Sequence, residues 1–288
     1  MKKYLILFIG IIAITFAALF IRLADAPPLV IAAYRMGISV LALLPLSIVR
    51  SIKKPLRLNK KVTLLIITSG FFLATHFGLW ITSLSYTSIA SSVVLVTSHP
   101  IFVAIISRLI WHKKLDKATF LGIIVALIGC IVLNFGGLEF NIEALRGNLF
   151  ALIAGLSMGI YLLIGNHLRK HIDLIHYLAM VSFIALSLLL VTTLFFGYNL
   201  FGYNQQTYVM MALLAIVPQL IGHSCLNIAL RRLPTTIVSV AILGEPIGAV
   251  ILGYLILGEI PNINELLGSI VIIAGISTVI LSRNDTTQ

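Results

Sequence analysis

The chain has 288 residues, of which 60% are hydrophobic and only 10% are charged, and its mean hydropathy is +1.11. A soluble globular domain is about 45–50% apolar, so this much apolar surface does not fit in one water-soluble core. The net charge is +11, but the basic residues form short clusters between apolar runs. That pattern argues against a nucleic-acid-binding face, and we expect an integral membrane protein.

The chain contains ten apolar stretches of the length that crosses a bilayer as a helix, about 17–25 residues. Five fall in each half, which predicts an all-α fold with ten transmembrane helices. The first stretch follows Lys2-Lys3 and precedes Ala24-Asp25-Ala26, an arrangement also found in signal peptides. It is longer than the usual apolar region of a signal peptide, about 7–15 residues, so we count it as the first helix. The predicted spans are 4–21, 29–49, 62–82, 88–110, 118–135, 148–168, 174–196, 207–228, 236–257 and 266–282.

The second half of the sequence repeats the first. A shift of 146 residues superposes Pro100 on Pro246, Gly122 on Gly268 and Gly129 on Gly275. The connection at 112–117 is basic, whereas its equivalent at 258–263 is acidic. Because Lys and Arg are retained on the cytoplasmic side, we predict two five-helix repeats, 1–141 and 142–288, inserted in opposite orientations around a central cavity.

The distribution of charge predicts the orientation. With the N-terminus inside, 17 of the 20 Lys and Arg residues fall on the cytoplasmic side, whereas Arg22 and Arg146 fall outside and Arg35 lies within a span. This bias predicts a multi-pass protein of the cytoplasmic (inner) membrane with both termini in the cytoplasm.

Several motifs resemble the drug/metabolite transporter superfamily, in its ten-helix EamA-type branch, over nearly the whole chain. They are Arg35, the run Leu84-Ser85-Tyr86-Thr87-Ser88-Ile89-Ala90, Pro100, Gly122 with Gly129, Leu243-Gly244-Glu245-Pro246 and Leu257-Gly258-Glu259. The resemblance implies a central polar cavity lined by helices one to four and six to nine, with helices five and ten to the side. It also implies transport of a small polar or amphipathic metabolite, frequently export of amino acids. Lys113, in place of a first-half Gly-Glu elbow, and His99 before Pro100 depart from the family pattern.

Glu245 and His99 occupy equivalent places in the two repeats, each next to a proline that favours a local helix break, Pro246 and Pro100. An ionisable side chain near the middle of a membrane span costs about 2.5–3.5 kcal/mol on insertion scales. Glu245 and His99 therefore each need a partner or a water-filled cavity. Glu245 either takes a proton or a substrate amine, or it caps the broken helix. The pair either shares a proton or consists of two separately satisfied groups.

Two equivalent helices carry polar side chains at a spacing of four residues. Gln219, His223 and Asn227 form one stripe, and His76 with Trp80 form the other. Such a stripe faces a cavity, or else it bonds neighbouring helices together. Trp80 offers a flat face for a cationic or aromatic substrate, with core packing as the alternative.

Arg35 lies about six residues inside the outer end of the second span. It either reaches back to the headgroups or binds a substrate carboxylate. Tyr161 is a weaker substrate-binding candidate, because single polar residues in spans often bond to a neighbouring backbone. Gly122, Gly129 and Gly136 recur every seven residues, as do Gly268 and Gly275. These small residues predict close helix packing within the chain, or else the seam of a homodimer.

The leading hypothesis is a secondary transporter that works by alternating access on a small molecule, with protons as the natural coupling ion. Uniport and substrate exchange remain open, as do a membrane enzyme, a passive channel and a scaffold. No nucleotide-binding, zinc-protease or serine-hydrolase motif occurs, and Cys130 and Cys225 each lie in an apolar run. We therefore expect no catalysis, no cofactor and no metal, with lipid and substrate as partners.

Overall fold

The computed structural model describes residues 2–53, 58–87, 89–112, 116–135, 142–169, 171–257 and 260–282. Within these residues the chain consists of helices and short connections, without β-strands. The helices of the first half are α1 Lys2–Leu23, α2 Pro28–Lys53, α3 Lys60–Ser83, α4 Ile89–Val96, α5 His99–Trp111 and α6 Lys117–Leu133. Those of the second half are α7 Ile142–Leu168, α8 Leu174–Phe195, α9 Gln205–Leu214, a π-helix Ala215–His223, α10 Ser224–Leu230, α11 Thr235–Ile242, α12 Glu245–Leu252, a π-helix Gly253–Leu257 and α13 Ile263–Ser282.

The lengths and apolar character of these helices identify a multi-pass membrane protein. In the described part of the chain, nine helical stretches are long and apolar enough to cross a membrane, each broken helix being counted as one. Within the same residues, the one predicted span that is shorter is the fifth, α6, an apolar helix of 17 residues, or about 25 Å at 1.5 Å per residue. We call the end of the bundle that carries the α1–α2 connection the outer end, and the opposite end, which carries Lys2, the inner end.

The repeat in the sequence is a repeat in the helices. Shifting α4, Ile89–Val96, by 146 residues gives the bounds of α11, Thr235–Ile242. The same shift carries His99 and Lys117, which begin α5 and α6, onto Glu245 and Ile263, which begin α12 and α13. Both halves of the fold therefore interrupt the same span at the same place.

The two breaks have a common cause. Pro100 and Pro246 are the second residues of α5 and α12. Proline has no backbone N–H and disfavours helical geometry in the residue before it. Helices α4 and α11 consequently stop before it, and new helices begin at His99 and Glu245.

One helix departs from the sequence prediction. Span 207–228 was predicted as uninterrupted, but residues Ala215–His223 form a π-helix that contains Pro218. Because Pro218 removes a backbone donor, the local hydrogen-bond ladder has to rearrange. Widened turns of this kind often lie at functional sites, and this one carries Gln219 and His223 into the interior.

Asparagine and aspartate caps begin several of the spans. The Asn59 side chain accepts a hydrogen bond from the Val62 N–H at 2.8 Å, and Asn204 accepts one from the Thr207 N–H at 2.7 Å. Asp116 caps α6 in the same way. Each side chain satisfies a backbone donor that a helix start leaves free, which helps to fix where each helix begins.

The fifth and tenth spans pack against each other away from the centre. A Cβ atom on Gly129 would lie 2.6 Å from the Ile272 nitrogen, and one on Gly275 would lie 2.4 Å from the Ala126 nitrogen. Helices α6 and α13 thus approach to backbone contact, which only glycine permits. Of the two sequence interpretations, the described glycines fit packing within the chain; Gly136 lies outside the described residues.

The remaining spans surround the centre of the molecule. Helix α3 packs on α7 and α8, α2 packs on α8, and α1 packs on α10, α12 and the π-helix that contains Pro218. Gly155 of α7 lies so close to α4 that a Cβ there would be 2.8 Å from the Val96 carbonyl oxygen. This packing brings the two broken helices to the middle of the bundle.

Candidate functional site

A small cavity lies where the two broken helices meet α1, α2, α3, α7 and α10. Its volume is about 30 Å³, room for one or two water molecules and far less than a metabolite needs. Helix α8 and the pair α6 and α13 contribute no described lining residue. The lining side chains are Ile14, Ala17, Arg35, His76, Phe77, Trp80, Val96, Thr97, His99, Met158, His223, Leu226, Ile242 and Glu245.

The cavity brings together His99 and Glu245, which occupy equivalent places in the two repeats. Each begins a helix ten residues after the start of its span, which is about 15 Å at 1.5 Å per residue. A hydrocarbon core is about 30 Å thick, so both groups lie near the middle of the membrane. They enter from opposite ends of the bundle, because the repeats are inverted.

Arg35 is fully buried, with 1% of its surface exposed. Its Nε donates a hydrogen bond to Gln219 Oε1 at 2.9 Å, and its guanidinium carbon lies 3.8 Å from the centre of the Phe77 ring. The side chain therefore lies in the interior and does not reach back to the headgroups. A hydrogen bond on one side and a ring face on the other fix the guanidinium plane.

His76 and Trp80 stack on the same face of α3, with ring centres 5.9 Å apart. The His76 Nδ1 lies 3.0 Å from the Ala154 carbonyl oxygen. Because a carbonyl only accepts, Nδ1 must carry the proton of this bond, and in the neutral ring Nε2 is then an acceptor. His223 meets Phe77 edge to face, with centres 5.3 Å apart.

Several polar atoms of the lining side chains lack hydrogen-bond partners within the described part of the chain. They are Arg35 Nη1, Trp80 Nε1, both ring nitrogens of His99, and His223 Nδ1. Burying a donor or acceptor without a partner costs about 1–3 kcal/mol. Such a cluster around one cavity is a physical reason to expect that water or a polar ligand binds there.

The charges of the lining residues are complementary. Arg35 and Glu245 interact electrostatically. They do not form a salt bridge, because among the described residues the oppositely charged pair within 4 Å is Arg50 with Asp173. Glu245 also keeps part of its surface accessible. An arginine and a carboxylate that share a cavity without direct contact leave space for a molecule between them.

Three predicted site residues lie one layer away from the cavity. Gln219 holds Arg35, whereas the Asn227 Nδ2 donates to the Tyr161 hydroxyl at 2.7 Å and to the His223 carbonyl at 2.9 Å. The Tyr161 ring centre is 6.5 Å from that of His223. The polar stripe on this span thus supports the lining side chains more than it lines the cavity itself.

Trp80 also borders a second cavity, at the outer end. This vestibule has a volume of about 230 Å³ and is lined by Arg22, Pro28, Ile31, Trp80, Ser85 and Val93, among others. The indole is therefore shared by the wall of the vestibule and the wall of the central cavity. The Trp80 side chain thus lies between the two spaces.

The inner end is closed by a deeper layer. Tyr161 and Asn227 bond to each other, and below them the Ser69 and Tyr177 hydroxyls lie 2.7 Å apart. Arg169, 2% exposed, donates to the Ile172 carbonyl. More layers of side chains thus separate the central cavity from the inner end than from the outer end.

Eight further lining residues were absent from the sequence prediction: Ile14, Ala17, Phe77, Val96, Thr97, Met158, Leu226 and Ile242. Phe77 and Met158 are apolar residues in apolar spans, so neither composition nor spacing separates them from lipid-facing neighbours. Thr97 had a signal, because it lies at the break before Pro100.

Three parts of the motifs lie outside the described residues: Ser88, Lys113 and the Gly258-Glu259 elbow. The described residues contain no group of three His, Cys, Asp or Glu side chains arranged to hold a metal ion.

The comparison with known proteins divides the chain into the same two repeats. The sequence model of the EamA-like transporter family matches residues 1–135 and again residues 145–281. Together the two matches cover both sets of five spans.

Nearly the whole chain is similar to bacterial proteins that are described as transporters. It is 27% identical over 286 residues to the uncharacterized transporter YoaV of Bacillus subtilis, covering 93% of this chain and 94% of YoaV. It is 25% identical over 280 residues to the uncharacterized transporter YdfC of the same organism, covering 96% and 90%. A crystal structure with 16% identity covers 100% of this chain and 99% of its own with a TM-score of 0.82, which shows the fold alone.

Proposed function

Because the chain belongs to the EamA-like transporter family, we propose that it is a secondary transporter of small amphipathic metabolites that carry both charges, such as amino acids. Arg35 would bind the carboxylate of the substrate and Glu245 would bind its amine, while Phe77 and Trp80 would pack against its apolar part. The observation that carries the proposal is that Arg35 and Glu245 line one cavity while Arg35 Nη1 has no partner among the described residues. A charge-assisted hydrogen bond to that donor is worth about 1.5–3 kcal/mol.

The mechanism we propose is alternating access. A cavity of about 30 Å³ does not hold an amino acid, so the helices around it have to separate for binding. Towards the outer end the cavity is bounded by the Trp80 indole, whereas towards the inner end it is closed by the deeper layer of hydrogen-bonded side chains. This difference fits a closed state that opens more readily outward than inward. The inverted repeats supply a second way to open, towards the inner end, which is related to the first by the pseudo-twofold axis between the repeats.

Proton exchange is the coupling that this site favours. His99 has two ring nitrogens without partners in the described structure, and it shares the cavity with the Glu245 carboxylate. Imidazole and carboxyl groups both exchange protons in the physiological range when their surroundings change. A substrate amine that displaces a proton from Glu245 would link the two movements.

We further propose that the protein resides in the inner membrane with both termini in the cytoplasm, an orientation that the charge bias supports. Among the described residues, Lys2, Arg50, Lys60 and Arg169 lie at the inner end, and Arg22 and Arg146 at the outer end. The motifs shared with the drug/metabolite transporters make export the favoured direction.

The test is counterflow of a radiolabelled amino-acid panel in proteoliposomes, with and without an imposed pH gradient. We expect saturable flux that responds to the gradient, falls at least about tenfold in Glu245→Gln, and survives in the matched control Glu143→Gln, an exposed site. A tenfold loss corresponds to about 1.4 kcal/mol. Flux that ignores the gradient in the wild type would contradict proton coupling, and equal flux in both variants would remove Glu245 from the site.

A further inference from the structure

A groove on the lipid-facing side of the outer half is larger than the central cavity and separate from it. It has a volume of about 470 Å³, within the range of small-molecule sites, about 300–1,000 Å³. Helices α3, α7 and α8 form its walls. Its lining includes Phe71, Thr75, Tyr86, Arg146, Leu188 and Tyr198.

The groove is as deep as one leaflet of a bilayer. On α3 it runs from Phe71 to Thr82, a separation of eleven residues and about 16 Å along the helix. One leaflet of a hydrocarbon core about 30 Å thick is about 15 Å deep. The groove therefore has the dimension of a single acyl chain inserted from the outer surface.

The chemistry of the walls changes along this depth. The Thr75 hydroxyl donates to the Phe71 carbonyl at 2.9 Å, and the Thr192 hydroxyl to the Leu188 carbonyl at 3.0 Å, so both threonines have their hydroxyls occupied within their own helices. The deep part, around Phe71 and Thr75, is consequently apolar, and Thr192, which lies near the outer end of α8, adds no free hydroxyl closer to the mouth. The mouth carries Tyr86 and Tyr198, the residue type that lies at headgroup level in membrane proteins.

Arg146 stands at the mouth with its guanidinium free. Its carbon lies 5.0 Å from the centre of the Tyr86 ring and 5.7 Å from that of Phe150, and among the described residues it forms neither an ion pair nor a hydrogen bond to a side chain. It is also one of two arginines at the outer end, against the charge bias of the chain. A guanidinium held flat by aromatic rings matches a phosphate in charge and shape.

We propose that this groove binds one phospholipid with a net negatively charged headgroup, its acyl chain between α3 and α8 and its phosphate on Arg146. Apolar depth, interfacial tyrosines and a free arginine are arranged in the order in which a lipid presents chain, glycerol and phosphate. The site is independent of the central cavity, with which it shares no lining residue, and it does not depend on the function proposed above.

The test is native mass spectrometry of the full chain in detergent, titrated with phosphatidylglycerol or phosphatidylcholine of identical acyl chains. We expect one phosphatidylglycerol to bind about tenfold more tightly than phosphatidylcholine, the size of effect that one charge-assisted contact gives. Arg146→Gln should abolish this preference by weakening phosphatidylglycerol binding more than phosphatidylcholine binding, because both lipids carry the phosphate but only phosphatidylcholine carries a choline cation that offsets its charge. Thr75→Phe, which fills the groove, should weaken binding of both lipids.

Two matched controls separate the groove from the general surface. Arg22→Gln removes the same charge at the same end of the bundle, and Thr68→Phe adds the same ring on the same helix outside the groove; both should bind as the wild type does. Equal affinity for the two lipids in the wild type, or an equal loss in Arg22→Gln and Arg146→Gln, would overturn the proposal. Should Thr75→Phe fail to fold, the comparison of the two arginine variants still decides.

Discussion

The contact between α6 and α13, which we call the seam, and the central cavity are each formed by equivalent parts of the two repeats. The equivalent residues differ in kind between these two places. At the seam, equivalent positions hold the same residue, Gly129 and Gly275, because both must allow backbone contact. In the cavity, equivalent positions hold His99 and Glu245, a base and an acid. Symmetry of the backbone thus builds the scaffold, while asymmetry of the side chains gives the two equivalent positions of the site different chemistry.

The sharpest test of the seam is Gly129→Ala. A methyl group there would lie 2.6 Å from the Ile272 nitrogen, and because backbone cannot move aside cheaply, we expect a loss of about 3 kcal/mol in the free energy of unfolding. The matched control is Gly37→Ala, where the nearest atom is Leu186 Cδ1 at 3.7 Å and helix propensity favours alanine. Chemical unfolding in detergent micelles measures both, and equal stability of the two variants would refute the seam.

The asymmetry of the cavity is tested by exchanging its two ends in the double variant His99→Glu/Glu245→His. The charge of Arg35 acts on Glu245, so a carboxylate moved to position 99 loses this counter-charge. We expect at least about a 30-fold loss of counterflow, equivalent to about 2 kcal/mol, with unfolding unchanged. Wild-type flux in the exchanged protein would mean that the two positions are equivalent and that the asymmetry carries no function.

Arg35→Lys tests whether the site needs a guanidinium or only a positive charge. Lysine cannot bond to Gln219 and lie flat against Phe77 while still donating into the cavity. We expect the KM for a carboxylate-bearing substrate to rise about tenfold, or about 1.4 kcal/mol. Arg22→Lys, at the outer end, is the matched control; a KM that changes equally in both variants would show that only charge matters.

The smallest effect concerns the inner end, where Arg50 Nε lies 2.8 Å from Asp173 Oδ1. Burial raises the pKa of Asp173, but hydrogen bonds from Arg50 and the Ile175 N–H, together with the Arg50 charge, outweigh it and leave the pKa below its usual value. A depressed pKa stabilises the fold above the unfolded value of about 3.9, and this contribution is lost as the pH falls through the folded pKa.

Because Arg50 is 41% exposed, solvent screening limits the contribution of this pair. We expect Asp173→Asn to lower stability by about 0.5 kcal/mol at pH 7. The difference from the wild type should shrink in unfolding curves recorded near pH 3. A gap that is constant with pH would mean that the aspartate acts only as a helix cap.

Much of the scaffold follows from the sequence because it depends on local rules. Apolar length predicts the spans, Pro100 and Pro246 predict the interruptions, and the 146-residue shift relates the two halves. Pro218 carried a comparable signal for the π-helix. The sequence does not predict the π-helix, because a proline inside an apolar span indicates only where the helix is disturbed and not which helical geometry results.

The site is less predictable because it depends on distance and facing. Spacing put Gln219, His223 and Asn227 on one stripe, but which of them meets open space depends on how closely α2 and α7 approach. The same limit applies to Arg35, whose two interpretations differ only in the direction of a flexible side chain. The shared position of Trp80 between two cavities follows from tertiary packing alone.

The most direct test of the central claim, that Arg35 and Glu245 bind opposite charges of one small molecule, is competition binding to the purified protein. A radiolabelled amino acid that binds the wild type is displaced by its amide, which lacks the carboxylate, or by its N-acetyl derivative, which lacks the amine. We predict that the wild type rejects both, that Arg35→Gln loses its discrimination against the amide alone, and that Glu245→Gln loses it against the N-acetyl derivative alone. Unchanged discrimination in both variants would contradict the account.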